Sequence, residues 1–178
     1  VYEGSETFTL SGYTESQTSA NEVTGTATIT DDENAPVVSI TGGGEVSEGD
    51  AASFTVSIDQ VADSDVTVTL SFNAGDTDAS DIAAYEYYDS TSSTWVAVPA
   101  SGEVTIAAGS SSVAVRVVSA DDSVYEGDES FSVSITGASG ADASVSTTAN
   151  SASATITDDG SVTPPGPGGT ADDDRPSV

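Results

Sequence analysis

The chain has 178 residues, of which 30 are Asp or Glu and only 2 are Lys or Arg, so its formal net charge is −28. Nucleic acids and anionic membranes are excluded as partners, because binding to phosphate requires Lys and Arg to displace counterions. His and Cys are absent, which removes the commonest general base, disulfides and thiolate metal sites. No apolar run is long enough to predict a membrane span. Carboxylates and hydroxyls therefore supply nearly all of the polar chemistry.

An acidic phrase occurs twice in the chain. V-Y-E-G-S-E-T-F at Val1–Phe8 returns as V-Y-E-G-D-E-S-F at Val124–Phe131, and A-T-I-T-D-D follows each, at Ala27–Asp32 and at Ala154–Asp159. The two phrases are separated by four more residues in the second copy than in the first. Such an echo marks a repeat architecture. We therefore predict one complete module and the end of another.

Alternating apolar and polar residues predict β-strands with one buried face along most of the chain. Residues 1–35 hold at most two such segments, near Thr7–Ser11 and Gly25–Thr30. The later segments, in chain order, are Phe54–Ile58, Val66–Phe72, Val113–Val117, Phe131–Ile135 and Ala152–Ile156. Many short β-branched strands separated by Gly, Asp and Ser clusters are typical of a sandwich. We predict an all-β fold, an antiparallel immunoglobulin-like β-sandwich.

The repeat also predicts the domain boundaries. Residues 1–35 would be the C-terminal strands of a preceding module, because an isolated hairpin is marginal in water and must dock on something. Residues 36–160 would form the complete sandwich, starting after Pro36, which favours an extended residue before it. Residues 161–178 begin with a Pro- and Gly-rich linker and continue with an acidic stretch that would start another unit.

Five carboxylates lie within nine residues between two predicted strands: Asp121, Asp122, Glu126, Asp128 and Glu129. Two like charges about 4 Å apart repel by about 1 kcal/mol in water and by about 4 kcal/mol near a protein surface, so convergence requires a cation. Oxygen-only donors suit Ca²⁺, whereas Mg²⁺ keeps more of its waters. The alternative is a solvated acidic loop, which is how most charge runs behave.

Weaker metal candidates lie in the partial copy. Glu3 and Glu6 repeat the positions of Glu126 and Glu129, but the preceding Asp pair is missing. The run Asp31, Asp32 and Glu33 stands between the two predicted modules, where a shared cation would stiffen the joint. The alternative is an acidic linker extended by its own repulsion.

Aromatic residues offer a different kind of site. Trp95 and Tyr87 would form a sugar-stacking platform, or they would serve as hydrophobic mass within the sheet, as aromatic side chains of sandwiches usually do.

The complete module is similar to the Calx-beta domain. The resemblance is carried by G-E-V-T-I at Gly102–Ile106, the strand Val113–Val118, the phrase A-D-D-S-V-Y-E-G-D-E-S-F and the closing A-T-I-T-D-D. The segment Y-E-Y-Y-D-S-T-S-S-T-W-V-A-V at Tyr85–Val98 resembles the variant found as tandem repeats in giant bacterial surface adhesins. The resemblance implies a sandwich of seven or more strands with calcium held in the loops at one end.

Carried onto this sequence, the resemblance implies the following calcium ligands: Glu48, Asp76 or Asp78, Asp121, Asp122, the carbonyl of Val124, Glu126, Glu129, Asp158 and Asp159. Asp81 lies in the same loop as Asp76 and Asp78, and a solvated loop remains the alternative for all three. Gly127 stands where the calcium-sensing exchanger members carry another acid, which favours one or two structural ions over a sensor cluster.

These observations together predict a calcium-stabilised extender module of a secreted bacterial adhesin, located at the cell surface and not an enzyme. Its partners would be neighbouring modules of the same polypeptide. The alternative is a calcium-dependent domain that binds an extracellular glycan or peptide. A regulatory calcium sensor is a third reading.

Overall fold

The computed structural model describes residues 1–12, 22–121 and 126–157, and the regular elements within these ranges are strands. Their bounds, in chain order, are β1 Glu6–Gly12, β2 Val23–Ile29, β3 Val37–Gly42, β4 Gly44–Ser47, β5 Ala51–Ile58, β6 Val66–Asn73, β7 Ile82–Asp89, β8 Thr94–Ala97, β9 Glu103–Ile106, β10 Ser112–Ser119, β11 Glu129–Ser139, β12 Ser144–Val145 and β13 Ser151–Thr157. The strands predicted from alternation are present.

Two sheets pack face to face, which confirms the predicted all-β sandwich. One sheet has six strands in the order β12-β3-β5-β10-β7-β8, and the other has five in the order β4-β13-β11-β6-β9. Neighbours pair antiparallel except at two edges, where β12 runs parallel to β3 and β4 runs parallel to β13. β1 and β2 form a separate two-stranded antiparallel sheet.

The core lies between the two larger sheets and is built from the alternating residues of each strand. Val113, Val115 and Val117 of β10 are buried, while the residues between them are not. Phe131 of β11 is at the centre of an aromatic group, with its ring centroid 6.2 Å from that of Phe54 and 5.6 Å from that of Phe72. Alternation of period two gives each sheet one apolar face, and burial of the two faces together holds the sandwich closed.

Three glycines carry the chain from one sheet to the other between β3 and β4. Gly42, Gly43 and Gly44 all have positive φ, a region that L side chains rarely adopt. A Cβ on Gly43 would lie 2.0 Å from the carbonyl oxygen of Ser153, and one on Gly42 would lie 2.4 Å from that of Ser53. Only glycine allows this crossing, so the G-G-G run has a structural role.

The β1–β2 hairpin repeats the pairing of β11 and β13. Glu6 is opposite Ile29 and Phe8 opposite Ala27, just as Glu129 is opposite Ile156 and Phe131 opposite Ala154. The burial differs greatly, because Phe131 is 3% exposed and Phe8 is 55% exposed. The hairpin therefore presents an apolar face of the kind that the complete module covers with its other sheet.

Two matched substitutions measure this difference. We expect Phe131→Ala to lower the free energy of unfolding by about 3–5 kcal/mol, because it removes a buried ring and leaves a cavity. Phe8→Ala, at the equivalent position of the hairpin, should change it by no more than about 0.5 kcal/mol. Urea unfolding followed by Trp95 fluorescence tests both, and equal losses would contradict the assignment of the core.

Candidate metal centre

Three loops meet at one end of the sandwich, called here the acidic pole: residues 48–50, 74–81 and 120–128, as far as they are described. Backbone hydrogen bonds join them, because Gly49 N donates to Ala120 O at 3.1 Å and Ala120 N donates to Asp81 O at 2.7 Å. Ser119 N donates to Asp50 O at 2.9 Å. The loops are thus held together by main-chain contacts before any side chain binds an ion.

A cluster of three carboxyl groups lies at this pole. Asp81, Glu126 and Glu129 each place a carboxylate oxygen within 4.8 Å of the other two. Asp81 is 9% exposed, Glu129 is half-buried and Glu126 is exposed. Asp81 Oδ2 also accepts a hydrogen bond from Asp78 N at 2.5 Å, which fixes the orientation of its carboxyl group.

The electrostatics of the cluster are those of crowded acids. Partial burial raises the pKa of Glu129 to about 7, and a hydrogen bond with Asp81 and the negative charges of Asp81, Glu126 and Asp78 act in the same direction. Within the described residues the one Lys or Arg side chain is Arg116, which pairs with Glu86 at 2.6 Å on the six-stranded sheet. Asp81, Glu126 and Glu129 therefore concentrate negative charge at the acidic pole.

Asp76 and Asp78 lie in the same loop as Asp81 and make local hydrogen bonds. Asp76 Oδ2 accepts from Ser130 Oγ at 2.9 Å. Asp78 Oδ1 accepts from the Ser80 amide at 3.0 Å and from the Ser80 hydroxyl, and these bonds lower the pKa of Asp78. Asp81, and neither of these two, joins the three-carboxylate cluster. The sequence identifies the acidic loop, but it does not show which carboxyl group turns inward.

Glu48 and Asp121 also lie at the acidic pole. Glu48 N donates to Thr157 O at 3.4 Å. A Cβ built on Gly49 would lie 3.2 Å from the Cβ of Asp121, so the exposed Asp121 packs beside the loop that carries Glu48. Neither belongs to the three-carboxylate cluster. Asp122, Val124, Asp158 and Asp159 lie outside the described residues, and their assignment as ligands stays a prediction.

A second acidic group lies between the hairpin and the sandwich. One oxygen from each of Asp31, Asp32 and Glu33 lies within 4.8 Å of the other two. Asp31 Oδ2 accepts hydrogen bonds from the Glu3 amide at 2.6 Å and the Gly4 amide at 2.7 Å, and Oδ1 accepts from the Glu33 amide at 3.1 Å. These bonds, with that of Glu3 first, hold the pKa of Asp31 well below its usual range.

The two glutamates predicted as weaker ligands are not part of this group. The backbone amide of Glu3, and not its carboxyl group, donates a hydrogen bond to Asp31. Glu6 is the first residue of β1 and lies opposite Ile29. Both are exposed, and neither belongs to the acidic groups that the described residues form.

The aromatic candidates are packed against other side chains. Trp95 pairs across the strands with Tyr88, with ring centroids 5.5 Å apart in an edge-to-face arrangement. The guanidinium carbon of Arg116 lies 4.2 Å from the centre of the Trp95 ring, which covers one face of it. Tyr87 is half-buried against the core and borders a polar cleft of about 390 Å³ between β7 and β9. Trp95 thus packs against Tyr88 and Arg116 within the sheet, as the second of the two alternatives expected.

The fold and the acidic pole define an all-β sandwich that carries an oxygen-donor cluster in its loops. The Calx-beta domain family matches residues 31–160, and the chain therefore belongs to this family. No match to a curated protein sequence is found. In the described part of the chain, no helix has the length and apolar character needed to cross a membrane.

Three solved structures have a similar fold. "CBD12 from CALX1.2" is 17% identical with a TM-score of 0.53, the "Apo-form Calx CBD1 domain" is 15% identical with 0.51, and "calcium binding domain CBD12 of CALX1.1" is 18% identical with 0.50. The matches cover 69%, 68% and 67% of this chain, and 45%, 97% and 45% of those chains, respectively. The chain thus spans less than half of the two CBD12 structures, and at these identities the likeness shows the fold alone.

The raised pKa of Glu129 predicts a pH dependence for the calcium-free chain. Because the pKa is raised from 4.5 to about 7 on folding, the fold favours the neutral acid; the corresponding stability is complete below about 4.5 and lost as the pH rises to about 7. We expect the free energy of unfolding in calcium-free buffer to fall over this range. Glu129→Gln should flatten the slope in urea unfolding at a series of pH values.

Glu103→Gln provides the matched control, because Glu103 is an exposed acid on β9 that pairs with Thr69. This variant should keep the slope of the original chain. A slope that is the same in all three proteins would contradict the prediction.

Proposed function

We propose that the chain is a calcium-stabilised structural module of a bacterial surface adhesin, with calcium bound at the acidic pole. The observation that carries the proposal is the convergence of Asp81, Glu126 and Glu129 within 4.8 Å. Carboxylates held this close are unfavourable without a cation. The donors are oxygens, and with no His or Cys in the chain, this donor chemistry fits Ca²⁺ and serves Zn²⁺ or Cu²⁺ poorly.

The mechanism is an ionic clamp between loops. Asp81 belongs to the loop between β6 and β7, whereas Glu126 lies shortly before β11 and Glu129 is the first residue of β11. A calcium ion would replace repulsion between these segments by attraction to a common centre. The backbone bonds of Ala120 to Gly49 and Asp81 already join the loop that carries Asp81 to the loop that carries Glu48. The ion would thus stabilise the folded module rather than take part in a reaction.

The hairpin supports a place in a series of modules. β1–β2 has the pairing register of β11–β13, and its apolar residues Phe8 and Ile29 are 55% and 57% exposed. We propose that residues 1–35 complete another sandwich of the same kind, that residues 36–160 form one repeat, and that residues 161–178 lead towards a further unit. Such a series would act as an extender outside the cell, and calcium at the acidic pole would stabilise modules that have no Cys to form disulfides.

Specific ligand binding receives less support from the described residues. The Trp95 ring is covered by Arg116 on one face and contacted by Tyr88 at its edge, so it offers less surface for stacking a sugar. The chain has no histidine to act as the general base that activates a serine nucleophile. The structural role is therefore the function that we propose.

Calcium should raise the stability of the full chain. At a free calcium concentration of about 100 times Kd, one independent site contributes about 2.7 kcal/mol to the free energy of unfolding. We expect this gain in the original chain and in Glu103→Gln, and we expect most of it to be lost in Asp81→Asn and in Glu129→Gln. Urea unfolding in calcium and in chelator provides the measurement.

The quantity that tests the proposal is the difference in the free energy of unfolding between calcium and chelator, and not the free energy in either condition alone. Neutralising Asp81 or Glu129 also removes repulsion, so the calcium-free variants should be at least as stable as the original chain. A melting temperature that is the same in calcium and in chelator for the original chain would overturn the proposed function.

A further inference from the structure

The first copy of the V-Y-E-G phrase binds the sandwich at the end opposite the acidic pole. Tyr2 forms a parallel β-bridge with Ala62 in the loop between β5 and β6. Tyr2 N donates to Val61 O at 2.9 Å, and Asp63 N donates to Tyr2 O at 3.1 Å. Tyr2 OH donates to Asp142 Oδ2 at 2.7 Å, in the loop between β11 and β12. One tyrosine thus joins two loops through both its backbone and its side chain.

The surface that receives Tyr2 is fixed by its own contacts. Ala62 is 2% exposed, and its carbonyl oxygen accepts a hydrogen bond from Gly109 N at 2.9 Å. The Ala108 amide donates to Asp65 Oδ1 at 2.8 Å, which attaches the β9–β10 loop to the β5–β6 loop. Gly140 packs so closely that a Cβ on it would lie 2.2 Å from the carbonyl oxygen of Asp65. The loop that carries Asp142 is therefore held against the loop that carries Ala62.

The phrase itself is also held in a defined shape. Asp31 accepts hydrogen bonds from the amides of Glu3 and Gly4, the two residues after Tyr2. Gly4 has a φ of +78°, which suits glycine and lets the chain turn away after the contact. Asp31 follows β2, the last strand of the partial copy. The end of the partial copy therefore holds the V-Y-E-G phrase that stands before its first strand, β1.

The loops that contact Tyr2 and the carboxylate cluster lie at opposite ends of the sandwich. Val38 of β3 pairs with Ile58 of β5, and Val66 of β6 pairs with Ile106 of β9, so the β5–β6 loop lies at the end where β3 begins. The carboxylate cluster lies at the other end, near Ile82 and Ser119. In the complete module the V-Y-E-G phrase runs from 124 to 127, so it contains Glu126 of the cluster and ends two residues before Glu129. The phrase that contacts one end of a sandwich is therefore part of the acidic pole of another.

We propose that the surface formed by Val61–Asp63 and Asp142 is a docking site for the V-Y-E-G phrase at the acidic pole of another module of the same kind, and that this contact holds the joint without requiring calcium. The identity of the partner rests on the proposed series of modules, whereas the contact itself does not. Backbone pairing makes the joint directional, and the tyrosine hydroxyl makes it selective for a module that carries tyrosine at this position.

Amide hydrogen exchange of the full chain, followed residue by residue by NMR in chelator and in calcium, tests the docking. The reporter is the Asp63 amide, which donates to Tyr2 O only in the docked state. A hydrogen bond to a charged group contributes enough to shift an opening equilibrium about tenfold. We therefore expect Tyr2→Phe to speed Asp63 exchange about tenfold, in both conditions, and Tyr2→Ala to speed it further.

Tyr88→Phe is the matched control, because Tyr88 is an exposed tyrosine on β7, away from the contact. The Gly109 and Val115 amides should keep their protection in every variant, which shows that the receiving loop and the core stay folded. Unchanged Asp63 exchange in Tyr2→Ala would overturn the docking site, and protection that appears only in calcium would overturn its calcium independence. Neither result bears on the calcium stabilisation measured by unfolding, so the two proposals fail separately.

Discussion

The acidic pole exists because a hydrocarbon core holds it in place. Three carboxyl groups that repel one another in water converge within 4.8 Å, and the scaffold that opposes their separation is the sandwich of valine, isoleucine and phenylalanine beneath them. Asp81 and Glu129 stand at strand ends whose next inward residues belong to that core. Main-chain bonds through Ala120 also join the loop that carries Asp81 to the end of β10 and to Gly49. The folded chain relieves part of this repulsion by raising the pKa of Glu129 to about 7, and a bound cation would relieve it when all three groups are charged.

The fold could be predicted from the sequence because the alternation of apolar and polar residues is a local signal. β5, β10 and β11 show their buried faces in the order of their residues alone, and the repeated phrase predicted that the partial copy repeats the last strands of the complete module. The shared register of β1–β2 and β11–β13 is a finding of the structure. The crossing at Gly42–Gly44 was not accessible. The sequence shows three glycines, but their meaning depends on the carbonyl oxygens of Ser53 and Ser153, which the topology brings against them.

The candidate site was accessible at the level of segments rather than of single residues. Glu126 and Glu129 were predicted as ligands, and they lie in the cluster that the structure shows. Asp76 and Asp78 precede Asp81 in the same loop, yet Asp81 is the buried one, because the last residue before β7 is the one that β10 and the Ala120 amide hold in place. Which carboxyl group turns inward is decided by the strand that follows, and composition carries no information on that point.

The parallel pairing of β4 with β13 has a mechanical consequence. The first residues of the module lie at one end of the sandwich, and β13 leaves at the other, with Ala154 beside Gly44 and Thr157 beside Ser47. Tension applied between the two ends draws neighbouring parallel strands past each other, so their hydrogen bonds are loaded together in shear. A hairpin pulled at its open end instead loses its bonds one after another. Because the G-G-G crossing attaches β3 to one sheet and β4 to the other, a pull on the start of the module loads both sheets at once.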